Sequence, residues 1–507
     1  MDSDYFPSWI ILLSSSFIVL ATIWNFMARS KRARSSPNLP PGPRKLPLIG
    51  NLHLLVRSRP PHRILTELAS KHGPIMHLQL GELSTVVISS PKAAKEVLKT
   101  HDINFANRPH VFATNVLTYN NSNIGFLPYG EYWRQLRKIC TIELMGARRV
   151  QSFRPLREEE FSKMCSRIAS KEGSSINLTR NIYLATCDMV LRAALGNKND
   201  EHTAFVSAMK EMFYLAGGFN AGDLFPSIGL FRVIGGFRRR VEKVHELSDR
   251  ILQKIIDNCK VEKSQEQKIE NLADVLLKFH KDAGSELRLS DDGVKAVLQD
   301  VFTAGIETSS TTTDWAMAEM IRHPKVLKKA QDEVRQVFHE KGFVDESDFN
   351  ELKYLKLVIK ETLRLHPPGP LLLPRENYET CEINGYTIPA KTRVMVNAWA
   401  IGRDPKIWKD AEIFIPERFL DNDTVDYNGK NYEYIPFGAG RRICPGMWFG
   451  LANVELPLAM FLYHFDWALP REIESEDVDM TETFGLTARR KNPLYVVPIL
   501  KNTLPLK

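Results

Sequence analysis

The sequence predicts a mainly α-helical α+β body with a minor sheet, preceded by an N-terminal apolar anchor. Three observations carry this. Most of the chain beyond residue 90 has helical period, and its clearest helix starts at Ser290 and runs to about Arg322. Two β-rich runs, 75–80 and 85–88, lie either side of Gly81 and Glu82 as a hairpin. Residues 7–28 carry no charge at all.

Within the uncharged run, the stretch from Trp9 to Met27 would span about 28 Å as a helix, enough to cross a bilayer. A cleaved signal peptide is the competing reading, but its first residues should be basic. Here Asp2 and Asp4 precede the run, and Arg29, Lys31, Arg32 and Arg34 follow it. An uncleaved anchor at 9–28 is therefore expected, with residues 1–8 lumenal and everything after residue 29 cytosolic. The sequons at Asn120, Asn177 and Asn422 then carry no glycan. Residues 29–44 form a basic, proline-rich hinge ending in LPPGP (39–43), and 45–507 form one body, because no composition shift divides it.

The central helix has Ser290 as N-cap, Asp291 and Asp292 in its first turn, and the His323-Pro324 pair as its stop. Its length of about 32 residues is nearly 50 Å, enough to cross a whole domain. A hydroxyl-rich patch at 308–313 interrupts an otherwise apolar pattern.

Composition narrows the function. With 43% hydrophobic and 25% charged residues, the 507-residue chain can bury a large core. The net charge of +8 is spread along the chain, which excludes a nucleic-acid binder of the basic-patch kind. Six scattered cysteines form no CxxC pair, arguing against zinc and against a disulfide framework.

One of them, Cys444, lies in the glycine-rich stretch FGAGRRICPG (437–446), just before an apolar helix. Backbone N–H groups at a helix start favour a thiolate, and glycines let the backbone turn beside a flat ligand. The spacing of Phe437, Gly440, Arg442, Cys444 and Gly446 resembles the haem-binding loop of the cytochrome P450 superfamily. Further motifs extend the likeness over the body: FLPYGEYWR (126–134), AGIET (304–308), ETLR (361–364), PRE (374–376) and PERF (416–419). They look most like the plant microsomal A-type branch.

The resemblance implies a single large cytochrome P450 fold with an N-terminal transmembrane helix, binding haem b. Cys444 is then the iron ligand, Phe437 packs near its sulfur, and Arg442 pairs with a propionate. Trp133, Arg137, Ala304, Gly305, Arg375 and Gly446 complete the cofactor contacts. Thr308 serves oxygen activation and Glu307 the proton relay, although Asp is more usual there. Glu361, Arg364 and Arg418 form a structural triad behind the haem. Substrate contacts fall at Asn115, Leu117, Phe302, Ala304, Leu371, Leu372 and Phe484, with Phe219 and Asp300 nearby.

The implied reaction is hydroxylation of a hydrophobic plant metabolite, a terpenoid foremost, with an alkaloid or phenolic as alternatives. It uses O2 and electrons from NADPH, delivered by NADPH-cytochrome P450 reductase in the endoplasmic reticulum membrane, since no dinucleotide fingerprint is present. Arg134, Lys138, Arg148 and Arg149 are candidates to meet that partner. Two other readings fit a thiolate loop. A haem-thiolate isomerase or dehydratase would need no O2, and Thr308 with Glu307 argues against it. A non-catalytic haem carrier or sensor would consume no NADPH.

Overall fold

The computed structural model describes residues 38–55, 59–196, 202–217, 220–232, 236–261, 270–281, 289–420, 424–483 and 485–504. The expected anchor at 9–28, together with Phe219, Asn422 and Phe484, lies outside them. Among the described residues no helix is long and apolar enough to cross a membrane.

The central helix occupies Asp291–Arg322, with the Ser290 hydroxyl accepting from the Gly293 N–H at 3.1 Å and the chain turning away at His323. Almost every turn of it is buried, because neighbouring helices cover it all round. Leu178–Leu195, Met447–His464, Lys353–Leu365 and His202–Leu215 all pack against it. Helices buried on every side lose the one-face amphipathic pattern, and this one has done so.

The expected hairpin is present as Ile75–Leu80 and Leu83–Ile88, in register Ile75 to Ile88 and Leu80 to Leu83. Gly81 makes the turn at φ +62°, where a Cβ would clash with the Leu224 carbonyl oxygen. Leu83–Ile88 continues the sheet by pairing in parallel with Arg393–Val396, and Arg375–Glu376 closes it on the far edge. The minor sheet therefore brings the PRE motif beside the helical body.

The ETLR and PERF motifs meet in a dry ionic cluster. Arg364 Nε and Nη2 donate to the two Glu361 carboxylate oxygens at 2.7 and 2.8 Å, and Arg418 Nε donates to Oε1 at 2.9 Å. The Ile415 N–H adds a fourth bond at 2.8 Å. The remaining guanidinium protons of Arg364 reach the carbonyls of Gly402, Ala411 and Ile413. One carboxylate thereby ties Lys353–Leu365 to the irregular segment at 402–418, which precedes the cysteine loop. Removing one partner of such a set leaves a buried charge uncompensated. Glu361→Ala is expected to lower stability by about 3–5 kcal/mol, read as a lower urea midpoint; a loss below about 1 kcal/mol would show that the cluster is ornamental.

Candidate active site

The cysteine loop is built from the backbone outward. Gly438 and Gly440 take φ of +72° and +69°, and a Cβ on Gly440 would clash with the Leu98 carbonyl oxygen. The Cys444 N–H closes the loop by donating to the Phe437 carbonyl at 3.0 Å, and Gly446 caps the helix Met447–His464. Cys444 opens onto a cavity of about 350 Å³, which Phe437, Gly446 and Phe449 also line. Its sulfur is open to the cavity yet walled by protein. Burial is the larger influence and raises the thiol, while the Gly446 N–H and the Arg137 charge pull the other way. The Gly446 N–H at the helix start acts on the sulfur in the expected direction, towards the thiolate.

One end of the cavity is strongly cationic. Arg442 donates to the carbonyls of Ala106 (2.8 Å), Ile124 (3.3 Å) and Leu127 (2.6 Å), and lies over the Trp133 ring at 4.2 Å. Arg375 donates to the Ala439 carbonyl and to Asp102. Arg137 lines the same space and makes no hydrogen bond among the described residues. Arg108, which the sequence reading passed over, is buried beside them and donates to the carbonyls of Gly125, Leu373 and Pro374. Burial, then the charges of Arg375 and Arg137, push Arg442 down to about 9. Four guanidiniums thus meet around the cavity, and only Arg375 among them pairs with a carboxylate, that of Asp102, an environment that favours an anion.

The central helix presents Val297, Val301, Ala304, Thr308 and Thr312 to the cavity, the i, i+4, i+7 spacing of one helical face. Thr308 Oγ1 donates to the Ala304 carbonyl at 2.6 Å, and Gly305 lines the space beside it. The helix remains continuous through this region, with no break at Gly305. Glu307, one residue round, faces the other way: it is buried, and Arg489 Nη1 lies 3.6 Å from its carboxylate. Burial raises its carboxyl, against the charges of Arg489 and Lys210.

Two expected substrate contacts require correction. Phe302 does not line the cavity; it is fully buried and packs edge-on against Phe205 at 4.9 Å, turned away from the Thr308 face. Asn115 turns back into its own loop, with its side chain bonded to Asn120 and Asn121. Leu117, Ala304 and Leu372 do line the cavity, and Leu371 lines a smaller pocket beside it. Asp300 lines the cavity as well. Its carboxylate accepts from Asn123 Nδ2 at 2.6 Å and from the Gly125 N–H at 3.0 Å.

Residues 40–496 match the family model of cytochrome P450. The chain is a cytochrome P450. Salviol synthase of Salvia pomifera is 53% identical, covering 99% of each chain. Desmethyl-deoxy-podophyllotoxin synthase of Sinopodophyllum hexandrum is 54% identical over 97% of each. Premnaspirodiene oxygenase of Hyoscyamus muticus is 50% identical over 97% of this chain and 98% of its own. A zebrafish P450 solved with progesterone shares 26% identity at a TM-score of 0.75, covering 87% of this chain and 99% of that one. As a P450 the chain is a haem-dependent monooxygenase that uses O2.

The residues present fit that cofactor. A dianionic haem would meet Arg108, Arg137, Arg375 and Arg442, and open space surrounds the Cβ position of Gly446. The P450 cavity also holds a titratable carboxyl in Asp300, which burial pushes up to about 6 despite its hydrogen bonds. A carboxyl raised in the folded state adds stability that is present at low pH and lost as pH rises. The Tm difference, wild type minus Asp300→Asn, should therefore fall as pH rises from about 4 through about 6. A difference independent of pH across that window would remove Asp300 as its source.

Proposed function

We propose that this P450 hydroxylates a hydrophobic plant specialised metabolite with a terpenoid skeleton, using electrons that a membrane-bound flavoprotein reductase takes from NADPH. The observation that carries this is that Cys444 and Thr308 open into one cavity whose remaining wall is mainly apolar, with Leu117, Val297, Val301 and Leu486 among its residues. Such a wall excludes water and favours a guest with few polar groups. Two relatives at 50% identity or more, a salviol synthase and a premnaspirodiene oxygenase, support the same skeleton class.

Haem, when bound, supplies the activation of O2 and the oxidising power. The chain's residues do the rest. Cys444 would hold the haem iron through its sulfur, and the four arginines would pair with the cofactor's carboxylates. Thr308 stands on the cavity side of the central helix, where its oxygen orders the water that delivers a proton. Glu307 holds the proton supply on the far side, and the half-exposed Arg489 beside it connects that carboxyl to solvent.

Location in the endoplasmic reticulum membrane is part of the same reading. Exposed Leu46, Leu48 and Ile49, and exposed Ile228, Leu230 and Phe231, flank the hairpin turn at 81–82. Backbone bonds hold both groups there: the Gly81 N–H donates to the Ile49 carbonyl and the Glu82 N–H to the Leu224 carbonyl. An apolar patch just after the anchor suits contact with lipid. Of the basic residues considered for the reductase, Arg134 pairs with Glu131 and Arg149 with Glu270, whereas Lys138 and Arg148 stand exposed.

Cys444→Ser should abolish the reduced carbon monoxide band near ~450 nm that marks axial thiolate; a full band in that variant would sink the ligand assignment. Thr308→Ala should keep haem but lower product formed per NADPH by about tenfold or more, with hydrogen peroxide rising to match. Unchanged coupling would take Thr308 out of the proton path. Product analysis with reductase and NADPH, across terpenoid, alkaloid and phenolic panels, tests the skeleton class directly.

A further inference from the structure

A pocket of about 50 Å³ adjoins the main cavity and shares Phe126, Ala216, Leu372 and Leu486 with it. Its wall is apolar apart from one cation, Arg393, at the start of the strand Arg393–Val396. Eight arginines are buried among the described residues: 108, 157, 364, 375, 393, 403, 442 and 490. Seven of them donate to carbonyl or carboxylate oxygens. Arg393 is the exception. It is 6% exposed, its Nε is a buried donor with no acceptor, and its guanidinium makes no hydrogen bond or close ion pair among the described residues.

The carboxylates nearest in influence are committed elsewhere. Asp223 accepts from the Phe112 N–H at 2.6 Å and from the Asn220 amide. Glu376 is the register partner of Arg393 across the sheet, yet Lys391 holds it at 3.3 Å. Both act on Arg393 only at longer range. A buried guanidinium with unused donors carries a desolvation cost that a bidentate anion would relieve. None of the other side chains that line the pocket carries an oxygen acceptor.

We propose that Arg393 is a substrate-recognition residue that binds the carboxylate of an amphiphilic substrate, whose apolar skeleton runs past Phe126 into the main cavity. The carbon presented towards Cys444 is then remote from the carboxylate. This inference rests on the monooxygenase reading for its apolar half, and the charged end is independent of which skeleton the substrate has.

The test is a spectral titration of the purified holoenzyme, following the Soret shift. The probes are a diterpenoid carboxylic acid with its methyl ester, and an arylalkanoic acid with its methyl ester. Wild type should bind an acid at least about tenfold more tightly than its ester. Arg393→Met should bring that ratio to within about threefold, and Arg393→Lys should hold it in between, since an ammonium keeps the charge but loses the fork. A full reduced carbon monoxide band confirms that each variant is folded, and the lysine variant carries the test if the methionine variant is not. Equal binding of acid and ester by wild type, an acid preference that survives substitution, or no shift with any acid overturns the proposal. A preference seen with the aryl pair alone upholds Arg393 and overturns the terpenoid reading.

Discussion

Residues 123–127 use their polar groups in two opposite directions, and the geometry of the active site follows from that. On one side the Asn123 amide and the Gly125 N–H donate to Asp300 on the central helix. On the other, the carbonyls of Ile124, Gly125 and Leu127 accept from Trp133, Arg108 and Arg442. Five residues of irregular chain thus connect the helix that carries Thr308 to the cationic end of the cavity. Because backbone groups do the binding, the arginines are positioned without having their charge cancelled. Carboxylate partners would have held them equally well and left nothing for an anionic cofactor to neutralise.

The same economy explains the division of labour between the two kinds of buried arginine. Glu361 neutralises Arg364 and Arg418, and the result is an inert joint between a helix and the segment leading to the cysteine loop. Around the cavity the guanidiniums of Arg108 and Arg442 rest on carbonyls alone, so their field reaches into open space. Similar residues in similarly dry surroundings become structural or functional according to what accepts their protons.

Local signals made much of this legible in the sequence. The central helix began and ended where Ser290 and His323-Pro324 place its caps, and the hairpin formed around Gly81 because only that residue tolerates the turn. The ETLR and PERF motifs met through Glu361, Arg364 and Arg418 as the family resemblance implies. What was not legible depends on which way a side chain faces. Phe302 was expected in the cavity, but it lies six residues from Thr308 and therefore about 120° off that face; helical spacing from Thr308 pointed instead to Val297 and Val301. Glu307, one residue from Thr308, is turned about 100° away. Arg108 left no trace because its acceptors are main-chain carbonyls of distant segments, which carry no side-chain pattern.

The hydroxyls of the central helix set a polarity of their own. Thr308, Ser310, Thr312 and Thr313 each donate to the carbonyl four residues earlier. A hydroxyl has one proton, so Thr308 and Thr312, which also line the cavity, offer a guest only lone pairs. The middle of the helix is therefore an acceptor stripe. A bound molecule that turns a hydroxyl or amine proton towards it gains a bond at no expense to the helix, whereas one that turns a carbonyl towards it must first break a bond the helix already has. That asymmetry gives the cavity a preferred way round for any guest with unlike ends.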